Sequence, residues 1–358
     1  MNNTKKIAVV CNYALNPNRI GGMDRFWVGY DTKAKEMGYE LHWYFSDYQA
    51  FDFFSGLTIH SANNQNVESF FLEKVNQEHL KYDILVTHFV ALCSSFFKKA
   101  KNSGIQYTIA VDHNPRPLNG FSLSKVLKNK IKGVLYSRYI NQFVGVSEYT
   151  RKHILKDYGF FLKSKTNVIY NGIDTSVFLK RTMVNKNLFV TTSHLRHSKG
   201  IQDLIQAVSL LENDIKCQIQ IDIYGEGPYE KHLVEMTQAL NLSSIFQFKG
   251  SSSKLNELYA NYSYLIQPSH EETFCYSVIE SLVSNLPVIT TYEAGNVLSL
   301  IENNKNGFLY NAGNFLQLAE ILKNIVVGNF VIDNEVSTEI ENKFNLEKMV
   351  TEHIQLLK

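Results

Sequence analysis

The first patterned segment of the chain is Ile7-Ala8-Val9-Val10-Cys11, an unbroken apolar run of strand length. A strand that is apolar on both faces is covered on both faces, as in a parallel sheet flanked by helices. Gly21-Gly22 follows, then a helical stretch ending near Met37-Gly38, then a strand from Tyr39 to Phe45. Further strands are predicted at Asp83 to Thr87, Tyr107 to Val111, Phe143 to Val146 and Val168 to Tyr170, with helical stretches between them. After Asn171-Gly172-Ile173-Asp174 the alternation restarts. Strands are predicted at Leu188 to Thr192, Ile219 to Tyr224, Phe246 to Lys249, Tyr264 to Gln267 and Val288 to Thr290. Helices are predicted at Gly200 to Glu212, Tyr229 to Leu240, Leu255 to Tyr262 and Cys275 to Ser284. The pattern is that of two successive α/β, Rossmann-like doubly wound domains, spanning 1–170 and 171–340. Met349, Val350, Ile354 and Leu357 at helical spacing predict a closing helix within 341–358. The aromatic-rich stretch from Tyr48 to Phe71 fits neither period and reads as a surface excursion.

A length of 358 residues agrees with two domains, since single cores stop growing at roughly 250 to 300 residues. With 44% hydrophobic and 20% charged residues, disorder and fibrous structure are excluded as overall descriptions. No apolar run approaches the roughly 18 to 20 residues of a spanning helix, and Met1 to Lys6 leads into a strand rather than a signal-peptide core. A cytoplasmic protein is expected, with the inner membrane face as a possible site of action. Cys11, Cys93, Cys217 and Cys275 are dispersed without a Cys-x-x-Cys pair, which argues against a disulfide framework or a zinc site. Charge is unevenly spread. Residues up to Tyr170 hold 22 Lys and Arg against 13 Asp and Glu, a net of +9, and the remainder hold 14 against 21, a net of −7. The halves therefore either meet different partners or dock on each other.

The most informative stretch runs from Gln267-Pro268-Ser269-His270-Glu271-Glu272 through Thr273-Phe274-Cys275-Tyr276-Ser277 to Glu280, closed by Leu286-Pro287-Val288-Ile289. A strand ends at Pro268, a loop carries Glu272 and a helix starts near Cys275. A helix N-terminus favours phosphate, through its unpaired N–H groups and its dipole. Glu272 and Glu280 would stand about 12 Å apart on a continuous helix. Carboxylates accept hydrogen bonds from hydroxyls and gain nothing from phosphate, so acids on either side of an anion site suit a nucleotide sugar: sugar, diphosphate, ribose. An amphipathic helix with one capping and one exposed Glu is the plainer alternative for the pair alone.

Pro268-Ser269, Glu272-x-Phe274, Glu280-Ser281-Leu282 and Leu286-Pro287-Val288-Ile289, in this order, resemble the donor-site signature of glycosyltransferase family 4, retaining enzymes of the GT-B fold. The resemblance covers most of the chain. Gly21-Gly22 resembles the N-terminal glycine loop, and Val144 to Glu148 the end of the first domain. Val168 to Asp174 with Phe178 resembles the interdomain element, and Lys199-Gly200-Ile201, Gly225-Glu226-Gly227-Pro228 and Asn306-Gly307-Phe308-Leu309 follow in family order. The resemblance implies two Rossmann-like domains facing across a cleft, the first for the acceptor and the second for the nucleotide sugar. It implies that Glu280 binds ribose, that Glu272 binds the transferred sugar, and that Phe274, Cys275, Tyr276 and Ser277 offer backbone N–H groups. Lys199 would neutralise the diphosphate, and His113, after a first-domain strand, would face the sugar and the acceptor. His88 is a weaker candidate of the same kind. Glu272, Lys199 and His113 are thus the expected catalytic residues.

Departures from the family pattern alter this picture. Thr273 and Cys275 replace the glycines that usually flank Phe274, and His194 stands where an Arg is usual, with Arg196 two residues on. Arg196 is expected to take over phosphate binding beside His194, because histidine is a full cation only below about pH 6.5. For Gly21 and Gly22 a phosphate loop and a plain tight turn both remain open. Gly225-Glu226-Gly227 lacks a third glycine, and as a dinucleotide fingerprint it is weak. No Asp-x-Asp occurs, so no metal is expected, and no cofactor beyond the nucleotide sugar, with UDP preferred because it is common in the family. Lys125, Lys128, Lys130, Lys132 and Arg138, interleaved with Leu123, Val126, Leu127, Ile131, Val134, Leu135 and Tyr136, predict a basic amphipathic helix suited to an anionic membrane or simply solvated.

The function expected is transfer of a sugar from a nucleoside diphosphate sugar to a saccharide or lipid-linked saccharide, in assembly of cell-surface polysaccharide or glycolipid. A nucleotide-sugar epimerase and a catalytically silent sugar-nucleotide binder are the alternatives. Nucleic acid is not an expected partner, because the basic cluster lacks a recognition module.

Overall fold

The structure, a computed structural model, describes residues 4–17, 20–117, 120–182 and 187–357. The chain forms two compact units: residues through Ile173 together with those from Asn345 onward, and Asp174–Phe344.

The first unit holds seven parallel strands, β1 (Lys6–Ala14), β2 (Glu40–Asp47), β3 (Ile59–Ser61), β4 (Ile84–His88), β5 (Tyr107–Asp112), β6 (Gln142–Gly145) and β7 (Thr166–Val168). They are joined by helices α1 (Gly22–Glu36), α2 (Val67–Gln77), α3 (Ser95–Asn102), α4 (Leu123–Tyr136) and α5 (Glu148–Tyr158). The sheet order β3-β2-β1-β4-β5-β6-β7 reverses direction between β1 and β4. In such sheets the loops after the strands on either side of the reversal part and leave a crevice for ligands. Ile7 to Cys11 are fully buried, as their unbroken apolar run requires. The stretch from Tyr48 to Phe71 is not a surface excursion: it forms β3 and begins α2, and Phe54 and Phe71 are buried, Phe71 edge-on to Tyr44 at 4.9 Å. Three residues of edge strand are too few to display an alternation, which is why the period was hidden.

The second unit holds six parallel strands, β8 (Leu188–Thr192), β9 (Gln220–Tyr224), β10 (Phe246–Gly250), β11 (Tyr264–Gln267), β12 (Val288–Thr291) and β13 (Gly307–Tyr310). Its helices are α6 (Ile201–Ser209), α7 (Asn213–Lys216), α8 (Glu230–Ala239), α9 (Leu255–Leu258), α10 (Tyr276–Val283), α11 (Phe315–Val326) and α12 (Thr338–Lys343). The order β10-β9-β8-β11-β12-β13 reverses between β8 and β11. Strand β13 overlaps the Asn306-Gly307-Phe308-Leu309 motif, and Gly307 admits it beside β12, since a Cβ there would fall 2.0 Å from the Val288 carbonyl.

The closing helix α13 (Leu346–Gln355) belongs to the first unit. It buries Met349, Val350 and Ile354 and packs on α1. Gly172 makes this return possible, because a Cβ there would meet the Asn345 carbonyl at 2.5 Å. The units therefore divide at 173/174 and 344/345, against the expected 170/171 and 340/341. Among the described residues no helix is long and apolar enough to cross a membrane.

Candidate functional site

In the second unit, the loops after β8 and β11 flank the reversal of strand order. The loop after β8 ends in a short 3-10 turn, His197–Lys199, followed by Gly200 at φ +70°. A Cβ on Gly200 would lie 1.9 Å from the Pro268 carbonyl, so the position demands glycine twice, for its left-handed backbone and for close approach. The His270 N–H donates to the Ser198 carbonyl at 2.8 Å and ties the two loops together. Lys199 is thereby held against the β11 loop, and its Nζ donates to Glu272 Oε1 at 2.7 Å.

Glu272 is buried, and its Oε1 also accepts from Ser269 Oγ at 2.8 Å and, more loosely, from Gln267 Nε2 at 3.4 Å. All three donors converge on one oxygen, which orients Oε2 away from them. Burial pushes the Lys199 ammonium down, but the Glu272 carboxylate, aided by Cys275 and Glu271, outweighs it and holds the pKa above the ordinary lysine value. Lys199 is a full cation at neutral pH.

After Glu272 the chain turns through Cys275, which at φ +59° serves as N-cap of α10 without a side-chain cap. In its first turn the Val278 N–H donates to the Cys275 carbonyl at 3.2 Å, and the turn as a whole presents the N–H end of the helix. Ser277 Oγ donates to the Thr192 carbonyl at 2.8 Å, fixing this N-terminus at the end of β8. Glu280, on the second turn, accepts from Tyr259 at 3.1 Å, and Tyr259 also pairs with Thr192 Oγ1 at 2.8 Å. Glu272 and Glu280 thus bracket the N-terminus of α10. The intervening chain is a loop and a left-handed turn, not the continuous helix that would set them about 12 Å apart. Phe274 is buried and edge-on to Tyr276 at 5.0 Å.

His194 and Arg196 are exposed, on either side of buried Leu195. The two glycines of Gly225-Glu226-Gly227 pack against this loop: a Cβ on Gly225 would lie 1.8 Å from the Ser193 carbonyl and one on Gly227 2.3 Å from that of Leu195. They shape the backbone that presents His194 and Arg196. Burial and the Glu272 charge push the Cys275 thiol well above its ordinary pKa.

In the first unit, Gly21 and Gly22 open α1 after β1, and the Gly21 N–H donates to Asp24 Oδ2 at 2.8 Å. Among the described residues, a Cβ on Gly21 would meet nothing nearer than that oxygen at 3.6 Å. His88 ends β4, and its Nδ1 pairs with Nε2 of His113, just past β5, at 3.0 Å. His113 stacks on Phe89 at 4.2 Å. His353 of α13 completes the group, 4.9 Å from Phe26 and 6.1 Å from His88 between ring centroids. Burial, with His353 adding to it, pushes His113 down to about 3; burial does the same to His353, and His88 falls well below its ordinary value. All three imidazoles are neutral at pH 7.

The structure brings Lys199, Glu272 and Cys275 together, and links Ser277 and Glu280 through Thr192 and Tyr259. Sequence reasoning missed the roles of Ser269, Gln267, Tyr259 and His353. Ser269 had a signal, standing three residues before Glu272 in the same loop; Tyr259 and His353 arrive from separate elements and had none.

A model of glycosyl transferases group 1 matches residues 177–335, and one of glycosyltransferase family 4 matches residues 20–177. An uncharacterized glycosyltransferase of Methanocaldococcus jannaschii is 26% identical over 189 residues, 51% of this chain and 50% of that protein. The 2-deoxystreptamine N-acetyl-D-glucosaminyltransferase of Niallia circulans is 29% identical over 119 residues, 33% of this chain and 30% of that protein. The chain thus spans half or less of the length of these curated relatives. The solved structure of Anabaena HepE in complex with UDP and glucose superposes with a TM-score of 0.76 at 17% identity, covering 99% of each chain. At that identity the likeness is one of fold.

Proposed function

The chain belongs to the glycosyltransferases of the family 4 type, built on the GT-B fold, and from that premise we propose that it transfers a sugar from a nucleoside diphosphate sugar, UDP-linked in the first instance, to a saccharide or lipid-linked saccharide with retention at the anomeric carbon. The observation that carries the reading is the Lys199–Glu272 pair, 2.7 Å apart beside the N-terminus of α10. A cation, a row of helix-end amides and an oriented carboxylate oxygen are what a diphosphate joined to a sugar requires.

In this reading the diphosphate lies at the N-terminus of α10, with Lys199 and the exposed Arg196 as its counter-charges and the exposed His194 beside them. Glu272 Oε2 accepts from sugar hydroxyls, and Glu280 accepts from the ribose. The acceptor oxygen bonds to the anomeric carbon as the bond from that carbon to the β-phosphate oxygen breaks. The bonding electrons leave with the diphosphate, which takes the acceptor's proton. Positioning and charge stabilisation supply the rate. His113 acts as a neutral imidazole that positions a hydroxyl rather than as a general acid, since its Nε2 is engaged by His88 and it holds no second proton at pH 7. No metal is needed, because Lys199 and the helix end meet the leaving-group charge.

Incubation of the chain with a panel of UDP- and GDP-sugars, with and without lipid-linked saccharide extract, separates the readings by mass spectrometry. Acceptor-dependent mass gain of one sugar supports transfer. An isomerised donor without acceptor would mark an epimerase, and unchanged donor recovered from the protein would mark a silent binder. Similarity to a 2-deoxystreptamine N-acetyl-D-glucosaminyltransferase, and a fold shared with a protein solved in complex with UDP and glucose, favour the first.

A further inference from the structure

Helix α4 buries Asn129 and Gly133 and turns its large apolar side chains outward. Gly133 is fitted to its neighbour, since a Cβ there would fall 2.0 Å from the Tyr158 carbonyl at the end of α5. This close approach fixes which face of α4 is inward. Leu123, Leu127, Ile131, Val134 and Leu135 are then 89%, 63%, 51%, 68% and 47% exposed. At 3.6 residues per turn these five occupy an arc of about 120°, opposite the buried face. Lys128 and Lys132 border the arc on one side and Lys130 on the other, with Lys125 exposed beyond. Phe160 and Phe161, exposed in the 3-10 turn Phe160–Lys165, follow within three residues of the Tyr158 carbonyl that touches α4. Both are exposed aromatic side chains of the same unit, and the nearby Lys163 is an exposed cation.

Contiguous exposed apolar surface of this kind on a globular unit marks an interaction site. We propose that α4, with Phe160 and Phe161, is a docking surface for an anionic lipid bilayer, the helix lying in the interface with its leucines among the acyl chains and its lysines among the headgroups. Charge selects this occupant over a second copy. A symmetric contact would place the same lysine border on both sides, opposing like charges, whereas an anionic surface pairs with Lys125, Lys128 and Lys132 and with the +9 of the residues up to Tyr170. None of these side chains is among the residues assigned to the donor, so the test requires no sugar transfer, and its failure would leave the proposed reaction in place.

The test is flotation of the full chain with vesicles of phosphatidylcholine alone or with roughly one third phosphatidylglycerol, alongside sedimentation velocity without lipid. The expected result is flotation with anionic vesicles only, weakened by salt and reduced about tenfold or more in both L127Q/I131Q and K128E/K132E, with thermal unfolding of both variants unchanged. These side chains are exposed, so the variants keep their fold. No flotation, equal flotation with both vesicle types, flotation insensitive to the substitutions, or a dimer that these substitutions dissolve would each overturn the proposal.

Discussion

Lys199 Nζ stands 2.7 Å from Glu272 Oε1, although the two residues sit in loops that follow different strands of the second unit. The pair is part of the resting architecture, held by Ser269, by the His270 to Ser198 backbone bond and by the approach of Gly200 to Pro268. A site already assembled loses little on binding and much on mutation.

Glu272→Gln keeps the size of the side chain and removes its charge. Turnover is expected to fall roughly 10² to 10³-fold, as when a preorganised electrostatic partner is lost, and Lys199→Ala to fall similarly. Because the two act as a unit, the double variant should be scarcely slower than either single one, which steady-state rates would show.

Gly200→Ala tests the loop junction. A left-handed backbone costs an L-residue about 1 to 2 kcal/mol, and forcing a Cβ against the Pro268 carbonyl adds about 1 to 3 kcal/mol. Denaturant unfolding should show a loss of about 2 to 5 kcal/mol for the second unit, together with weaker nucleotide binding. Gly328→Ala, also at positive φ but with nothing within 4 Å, should show the backbone cost alone.

The buried histidines give the first unit a dependence on acid. Their folded pKa values lie below the unfolded value near 6.5, so the unfolded state binds more protons as pH falls. The stability they contribute is complete above about pH 6.5 and is lost as pH drops towards about 3, at up to about 1.4 kcal/mol per pH unit for each imidazole that stays neutral. Thermal unfolding at pH 7 and pH 5 should show the first unit weakening, and His353→Phe should reduce that slope.

Cys217 is exposed, whereas Cys11, Cys93 and Cys275 are buried, with the Cys93 thiol pushed up to about 12. Alkylation at pH 8 should therefore label Cys217 first and leave Cys275 unmodified in the folded chain. Peptide mapping after brief iodoacetamide treatment would show this; early labelling of Cys275 would contradict its burial beside Glu272.

Two kinds of information differed in how much of the structure they revealed. The donor loop was legible because Ser269, Glu272, Phe274, Cys275 and Glu280 are near neighbours in sequence, and Lys199 because it precedes a glycine that the packing demands. Most strands of both sheets were legible as short apolar or alternating runs, whereas the short edge strands β3 and β13 were not. Glu272's tie to Lys199 and Glu280's tie to Tyr259 were not, because each partner comes from another strand or turn. The return of α13 to the first unit was likewise hidden, since it depends on Gly172 making room for Asn345. For α4, composition showed that apolar and basic residues interleave but not which face turns inward; the contact of Gly133 with Tyr158 decides that.

The most direct test of the central claim is release of UDP from a UDP-sugar by the unmodified chain, compared with Glu272→Gln and Lys199→Ala, in saturating acceptor and in the presence of a chelator. The account predicts acceptor-dependent release that the chelator leaves intact and that both substitutions reduce by about 10² or more. Equal turnover in all three proteins would contradict it.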